Sequence, residues 1–188
     1  IEIDPRHAPP GAEVMNFFEL AEDELFTTII GNPPYVRYQD ISPGTRRLAG
    51  STLLDKRANL YLFFVEKFLR LLEPGGALIF ITPRDLLKAT SAVPLNQLLH
   101  AAGTITDFID LGDTHLFDDA TPNCAIWRFK RGDMSRRTRY AALEQGDGAA
   151  GWQAPRWESR IFVESGGHLL FTRRDYPLHL SDIAFVKV

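Results

Sequence analysis

Phe26-Thr27-Thr28-Ile29-Ile30-Gly31-Asn32-Pro33-Pro34-Tyr35 is the stretch that decides the fold. Phe26 to Ile30 are all aromatic or β-branched, which reads as a buried strand, and Gly31 ends it. Pro33 and Pro34 then fix φ twice and withdraw two backbone donors, so neither a helix nor a central strand can continue. Carbonyls in such a turn have no ladder partner and are free to accept from a ligand. The amide oxygen of Asn32 adds another acceptor. Two acceptors held rigidly about one point suit an exocyclic –NH2 group, and Tyr35 offers a flat face to a planar base or amide. A rigid proline turn with a capping Asn is the alternative reading. Its place at the end of a buried strand favours a ligand, because open parallel sheets bind ligands beyond the carboxyl ends of their strands.

Outward from this stretch, residues 1–4 form a short β-like run stopped by Pro5, and residues 13–18 have the pattern of a second short strand. Residues 36–57 are polar, with Pro43 and Gly44 inside, and read as a long functional loop. Leu60, Phe63, Phe64, Lys67, Phe68, Leu71 and Leu72 follow helical spacing, and Pro74-Gly75-Gly76 is the expected stop. Residues 77–82 read as a continuous apolar strand, 93–102 as a helix ended by Gly103, and 105–111 and 123–129 as strands. Residues 146–151 are a Gly/Ala-rich linker. This alternation predicts an α/β fold: a mostly parallel sheet covered by helices on both faces.

The whole chain has 188 residues, 45% of them apolar, which suits one domain with the start of a second. No run approaches the ~20 apolar residues of a membrane span, and the opening residues lack the pattern of a signal peptide. One cysteine, Cys124, excludes an internal disulfide and a cysteine-rich zinc site, and the simplest compartment is the cytoplasm. The five histidines are scattered without metal-ligand spacing, so no metal is expected. The formal charge of −3 argues against a dedicated polyanion-binding domain, yet basic residues cluster at Arg46-Arg47, Lys56-Arg57, Arg136-Arg137 and Arg173-Arg174. The chain opens inside a strand-like run and closes on another, and reads as a fragment.

Residues 26–35 resemble the catalytic motif of the class I amino-methyltransferases, and the continuation Val36-Arg37-Tyr38-Gln39 resembles the adenine-N6 DNA methyltransferases of bacterial restriction–modification systems. Further segments match in the family's order. Residues 1–5 resemble the acidic strand end that binds the ribose of S-adenosylmethionine, which gives that role to Glu2. Asn16-Phe17-Phe18 resembles the segment flanking the cofactor's adenine, where the family usually carries Asp at the position of Asn16. Residues 59–83 are similar to the helix and strand that follow the motif. Leu116-Phe117 resembles the segment whose aromatic ring stacks on a flipped target base.

The resemblance implies a Rossmann-like class I methyltransferase sheet, mostly parallel with one antiparallel strand. The implied division is a catalytic domain over 1–145, lacking the Gly-rich cofactor loop, and a linker with the first strands of a target-recognition domain over 146–188. It implies Asn32, Pro33, Pro34 and Tyr35 as catalytic residues, Glu2, Asn16, Phe17 and Asn32 at the cofactor, and Tyr35 and Phe117 stacking on the base. S-adenosylmethionine is the implied methyl donor and double-stranded DNA the implied partner, with a fused or separate restriction nuclease and no membrane. Two alternatives stay open. The turn would equally suit a glutamine side-chain amide or an RNA guanine amino group, and a degenerate fold of this kind would serve as a non-catalytic DNA-binding subunit.

Overall fold

The computed structural model describes residues 3–112, 123–143 and 155–176. Seven strands form one sheet: β1 (Phe26–Gly31), β2 (Leu72–Pro83), β3 (Gly103–Asp110), β4 (Cys124–Arg131), β5 (Arg137–Ala142), β6 (Glu158–Ser165) and β7 (His168–Thr172). Their order across the sheet is β1-β2-β4-β3-β5-β6-β7. β1 lies parallel to β2 and β3 parallel to β5, while β4 runs antiparallel to both neighbours and β6 to both of its own. The mostly parallel class I methyltransferase sheet is therefore present, with two antiparallel strands where one was expected.

Three α-helices accompany the sheet: α1 (Pro43–Leu48), α2 (Leu60–Arg70) and α3 (Val93–Ala102). Leu78 and Phe80 of β2, Trp127 and Phe129 of β4, and Ile105 and Phe108 of β3 share one sheet face. They join Leu62, Val65 and Leu69 of α2 and Leu95 and Leu99 of α3 in a single buried cluster. Burying this many large side chains, at ~1.5–3 kcal/mol each, is the main stabilising term. Trp127 is held there by donating its indole N–H to the Thr82 hydroxyl at 2.9 Å. The expectation of helices on both faces is not met among the described residues. The opposite face leaves Ile30 73% exposed and carries Arg128 and Arg139 around Asp107.

Several local expectations change. Residues 13–18 do not form a strand: Asn16 caps a 3-10 helix, Phe17–Glu19, by accepting from the Phe18 N–H at 3.0 Å. The described part of the first run, Ile3 and Asp4, is also outside any strand. The polar stretch 36–57 contains α1, capped by the Ser42 hydroxyl, which accepts from the Thr45 N–H, and opened by Pro43. α2 ends at Arg70 rather than at the Pro-Gly-Gly, because β2 already starts at Leu72. Leu72 pairs with Phe26 and Ala77 with Thr28, so Glu73 to Gly76 bulge out of the ladder, with Gly75 at φ +82°. Gly103 stops α3 as expected, but in extended backbone; a Cβ there would overlap the Lys130 carbonyl of β4. The β6–β7 hairpin pairs with β5 in the same sheet and packs on α3, where His100 lies 5.2 Å from the Phe162 ring. The boundary at residues 145/146 thus coincides with no break in the sheet. No described helix is long and apolar enough to cross a membrane.

Candidate active site at the end of β1

Among the described residues β1 is the outermost strand on its side of the sheet, and the chain leaves its carboxyl end through Asn32-Pro33-Pro34-Tyr35. Asn32 and Pro34 are exposed, Pro33 is buried and Tyr35 half-buried. Among the described residues the Asn32 side chain has no hydrogen-bond partner, and no backbone donor meets the Pro33 carbonyl. Both oxygens are therefore without a protein donor among the described residues.

The far side of the turn is fastened to two elements. The Tyr35 hydroxyl donates to the Ile81 carbonyl of β2 at 3.0 Å, with the Cys124 thiol 3.9 Å away, and its ring meets Tyr61 of α2 edge-on at 6.3 Å. Burial, followed by the neighbouring Cys124 and Tyr61, pushes the Tyr35 hydroxyl above its usual pKa, so it stays a donor at neutral pH. At the N-terminus of α2, where backbone donors lack intrahelical partners, the Leu60 N–H donates to the Val36 carbonyl at 2.9 Å. The Asn59 side chain, one position earlier, accepts from the Tyr38 N–H at 3.1 Å.

Beside the turn lies a cleft of about 460 Å³, whose lining includes Asn32, Pro33 and Pro34, the aromatic wall of Phe17, Phe64 and Phe68, and Thr28 and Ile29 of β1. Phe17 stacks on Phe64 with ring centroids 4.8 Å apart and meets Phe68 at 4.3 Å in a tilted contact. The structure thus brings Phe17 and the proline turn into one cleft. Asn16 and Tyr35 do not line it. One lone pair of the Asn16 amide oxygen is spent on the helix cap. Glu2 and Phe117 lie outside the described residues.

Sequence reasoning missed Phe64, Phe68 and Thr28 as cleft residues. The two phenylalanines sit in the helical stripe that was read as core, and four-residue spacing alone does not tell a core face from a cleft wall. Of the basic residues near the turn, Arg46 donates to the carbonyls of Tyr38 and Ile41, and Arg57 pairs with Asp55 at 3.3 Å. Arg37, Arg47 and Lys56 are exposed and have no ion-pair partner among the described residues. No group of metal-ligating side chains occurs among the described residues.

Comparison with known proteins bears on this geometry. The family model described as Eco57I restriction-modification methylase matches residues 10–117. The Type II methyltransferase M.XhoI of Xanthomonas vasicola is 40% identical over 96 residues, covering 49% of this chain and 17% of its own length. The Type II methyltransferase M.TthHB8I of Thermus thermophilus is 34% identical over 147 residues, covering 70% of this chain and 33% of its own. The chain therefore spans about a sixth to a third of these curated relatives. Among solved structures, the type I restriction-modification methyltransferase subunit of Streptococcus thermophilus superposes with a TM-score of 0.52 at 17% identity. That match covers 71% of this chain and 31% of the subunit, and supports the fold.

Proposed function

This chain belongs to the Eco57I restriction-modification methylase family, and on that premise we propose that it supplies the catalytic face of a DNA methyltransferase that modifies N6 of adenine. The observation that carries the reading is the shared cleft: the acceptor-bearing turn Asn32-Pro33-Pro34 and the aromatic residues Phe17, Phe64 and Phe68 line one cavity.

The cleft fits S-adenosylmethionine. Its aromatic wall suits the adenine ring, and the turn is part of its lining. Phe17 would cover the ring, Asn32 would lie beside the reacting methyl, and Glu2 is proposed for the ribose hydroxyls. When bound, this cofactor supplies an electrophilic methyl group. The target adenine must leave the duplex to reach the turn, at a cost of a few kcal/mol. Tyr35 and Phe117 are proposed to recover part of that by stacking. The Asn32 amide oxygen and the Pro33 carbonyl accept the two amino hydrogens. As N6 gains positive charge, these fixed dipoles stabilise it, and the barrier falls because they need no reorganisation. Holding the nitrogen in line with the methyl contributes the rest. No strong base is required, since the methylated nitrogen is acidic and sheds its proton to solvent.

Duplex DNA is the proposed substrate. Arg37, Arg47 and Lys56, exposed cations that follow the turn in sequence, support this reading as contacts for phosphates beside the flipped base. The β6–β7 hairpin is proposed as the route into a target-recognition region over 146–188. A nuclease partner, fused or separate, and a cytoplasmic setting follow from a restriction–modification role. Tritiated-methyl transfer by the full-length polypeptide to duplex DNA, structured RNA and protein, followed by nucleoside analysis, tests the proposal. Label in N6-methyladenine is the expected result; label only in guanine, cytosine or glutamine overturns it.

A further inference from the structure

Lys67 is an anomaly in α2. It sits in the apolar stripe, its residue is 4% exposed, and its ammonium is directed at no carboxylate within ion-pair distance. Instead Nζ donates to the Phe18 carbonyl at 2.8 Å and to the Leu20 carbonyl at 2.7 Å, and lies 5.3 Å from the Phe17 ring centroid. Burying an ammonium is costly unless its protons are used. A Leu or Met would fill the same space without that cost, so the cation has a task.

The 3-10 helix Phe17–Glu19 has no buried residue of its own. Carbonyls at its C-terminal end lack partners within the turn and carry the negative end of its dipole. Lys67 satisfies two of them at once and ties the turn to a regular helix. Two residues after Leu20 the same chain is gripped again: Arg70, one turn along α2, donates to Glu22 at 2.9 Å and to Glu66 at 2.8 Å. The segment carrying Phe17 is thus fixed to α2 by polar contacts, while its ring is packed by Phe64 and Phe68 of the same helix.

We propose that Lys67 is a positioning residue for the cofactor: through the Phe18 and Leu20 carbonyls it holds the Phe17 ring in the cleft wall, and so sets affinity for S-adenosylmethionine without taking part in methyl transfer. This rests on the function proposed above. Lys67 is far from the proline turn in sequence and does not line the cleft, so its influence is indirect and confined to one wall.

The test uses the full-length polypeptide and three variants, Lys67→Met, Lys67→Gln and Lys67→Arg. Calorimetry gives the Kd for S-adenosylmethionine, fluorescence anisotropy the Kd for duplex DNA, and methyl transfer at saturating cofactor gives kcat. Lys67→Met should raise the cofactor Kd about tenfold, while DNA Kd and kcat stay within about twofold. Lys67→Arg keeps a two-donor cation and should recover most of the affinity. Lys67→Gln, with one neutral amide donor group, should fall between, and supplies the comparison if the Met variant does not fold. A folded Met or Gln variant with wild-type cofactor affinity overturns the inference, as does an equal loss of cofactor and DNA binding. Failure of the unmodified protein to bind S-adenosylmethionine would instead sink the proposed function itself.

Discussion

Replacing Tyr35 by Phe removes one oxygen and leaves the ring, which separates the tether of the turn from its flat face. The oxygen lost donates to the Ile81 carbonyl at 3.0 Å in a half-buried position. A neutral hydrogen bond contributes about 0.5–1.5 kcal/mol net, and stranding a buried partner costs about 1–3 kcal/mol. Because the site is half-buried, water can reach part of what is lost, and about 1–1.5 kcal/mol is the expected destabilisation. The Cys124 sulfur, at 3.9 Å, adds little. The edge-on contact with Tyr61 at 6.3 Å survives in Phe and disappears in Ala. Tyr35→Ala should therefore cost a further ~2 kcal/mol, about half the value for a fully buried aromatic. Urea unfolding of the full-length polypeptide measures the first quantity and single-turnover methylation the second. The Phe variant should keep its rate within about threefold, since the stacking face is intact. The Ala variant should lose at least tenfold, stacking on a base being worth ~1–3 kcal/mol. A folded Phe variant slowed a hundredfold would show that the hydroxyl acts on the substrate, and one as stable as wild type would remove the tether.

Asn32→Ala should lower kcat by ~10²–10³ by deleting a preorganised acceptor, with cofactor Kd changed less than threefold; retention of most of the single-turnover rate would remove Asn32 from catalysis. Duplex binding should weaken with salt at a log–log slope of about −0.9 per neutralised phosphate, and Arg47→Ala should make that slope shallower by about one unit, whereas Arg57→Ala, already paired with Asp55, should change it little; equal slopes for both would refute the assignment. Burial raises the hydroxyl pKa of both Tyr35 and Tyr61 above the ordinary 10.0. In the unfolded chain they ionise near that value, so above about pH 10 the folded state holds more protons than the unfolded one, and stability falls as pH rises, by up to ~1.4 kcal/mol per pH unit per tyrosine. Urea titrations between pH 9 and 11 should show the decline, and a Tyr61→Phe variant should decline less steeply.

The turn and β1 were legible as elements because both rest on local sterics: a β-branched run favours a strand, and adjacent prolines forbid its continuation. The burial read for that strand is not met, since only Ile29 of it is buried. The limits of α2 were less legible. Leu71 and Leu72 satisfy the helical stripe, yet Leu71 caps the helix and Leu72 pairs with Phe26. A cross-strand partner 46 positions away is invisible to a local pattern. The same reason hid the pairing of the β6–β7 hairpin with β5, which joins it to the sheet of the preceding strands. Asn16 before Phe-Phe-Glu was a capping signal in plain view, outweighed by the apolar residues around it. Lys67 was visible as a charge in an apolar stripe, but its meaning depends on two carbonyls about 48 positions upstream.

What unites the site is that one helix is tied both to the exit of the proline turn and to the aromatic wall. The N-terminus of α2 holds the exit of the proline turn through Leu60 and Asn59, and its final turns hold the Phe17 wall through Lys67 and Arg70. Eleven residues at ~1.5 Å each make a rod of roughly 16 Å. Its apolar side is locked to the sheet by Leu62, Val65 and Leu69, each no more than 7% exposed. The separation of the acceptors from the aromatic wall is then a property of a helix packed in the core, and does not depend on the loops on either side. An in-line transfer needs such a mount, because a displacement of ~1 Å between reacting groups can cost a hundredfold in rate. The turn is tied to that mount at Tyr35, Val36 and Tyr38. The mount also gives the buried cation in the apolar stripe its place: Lys67 ties the Phe17 segment to the same helix whose Phe68 packs on Phe80 of β2.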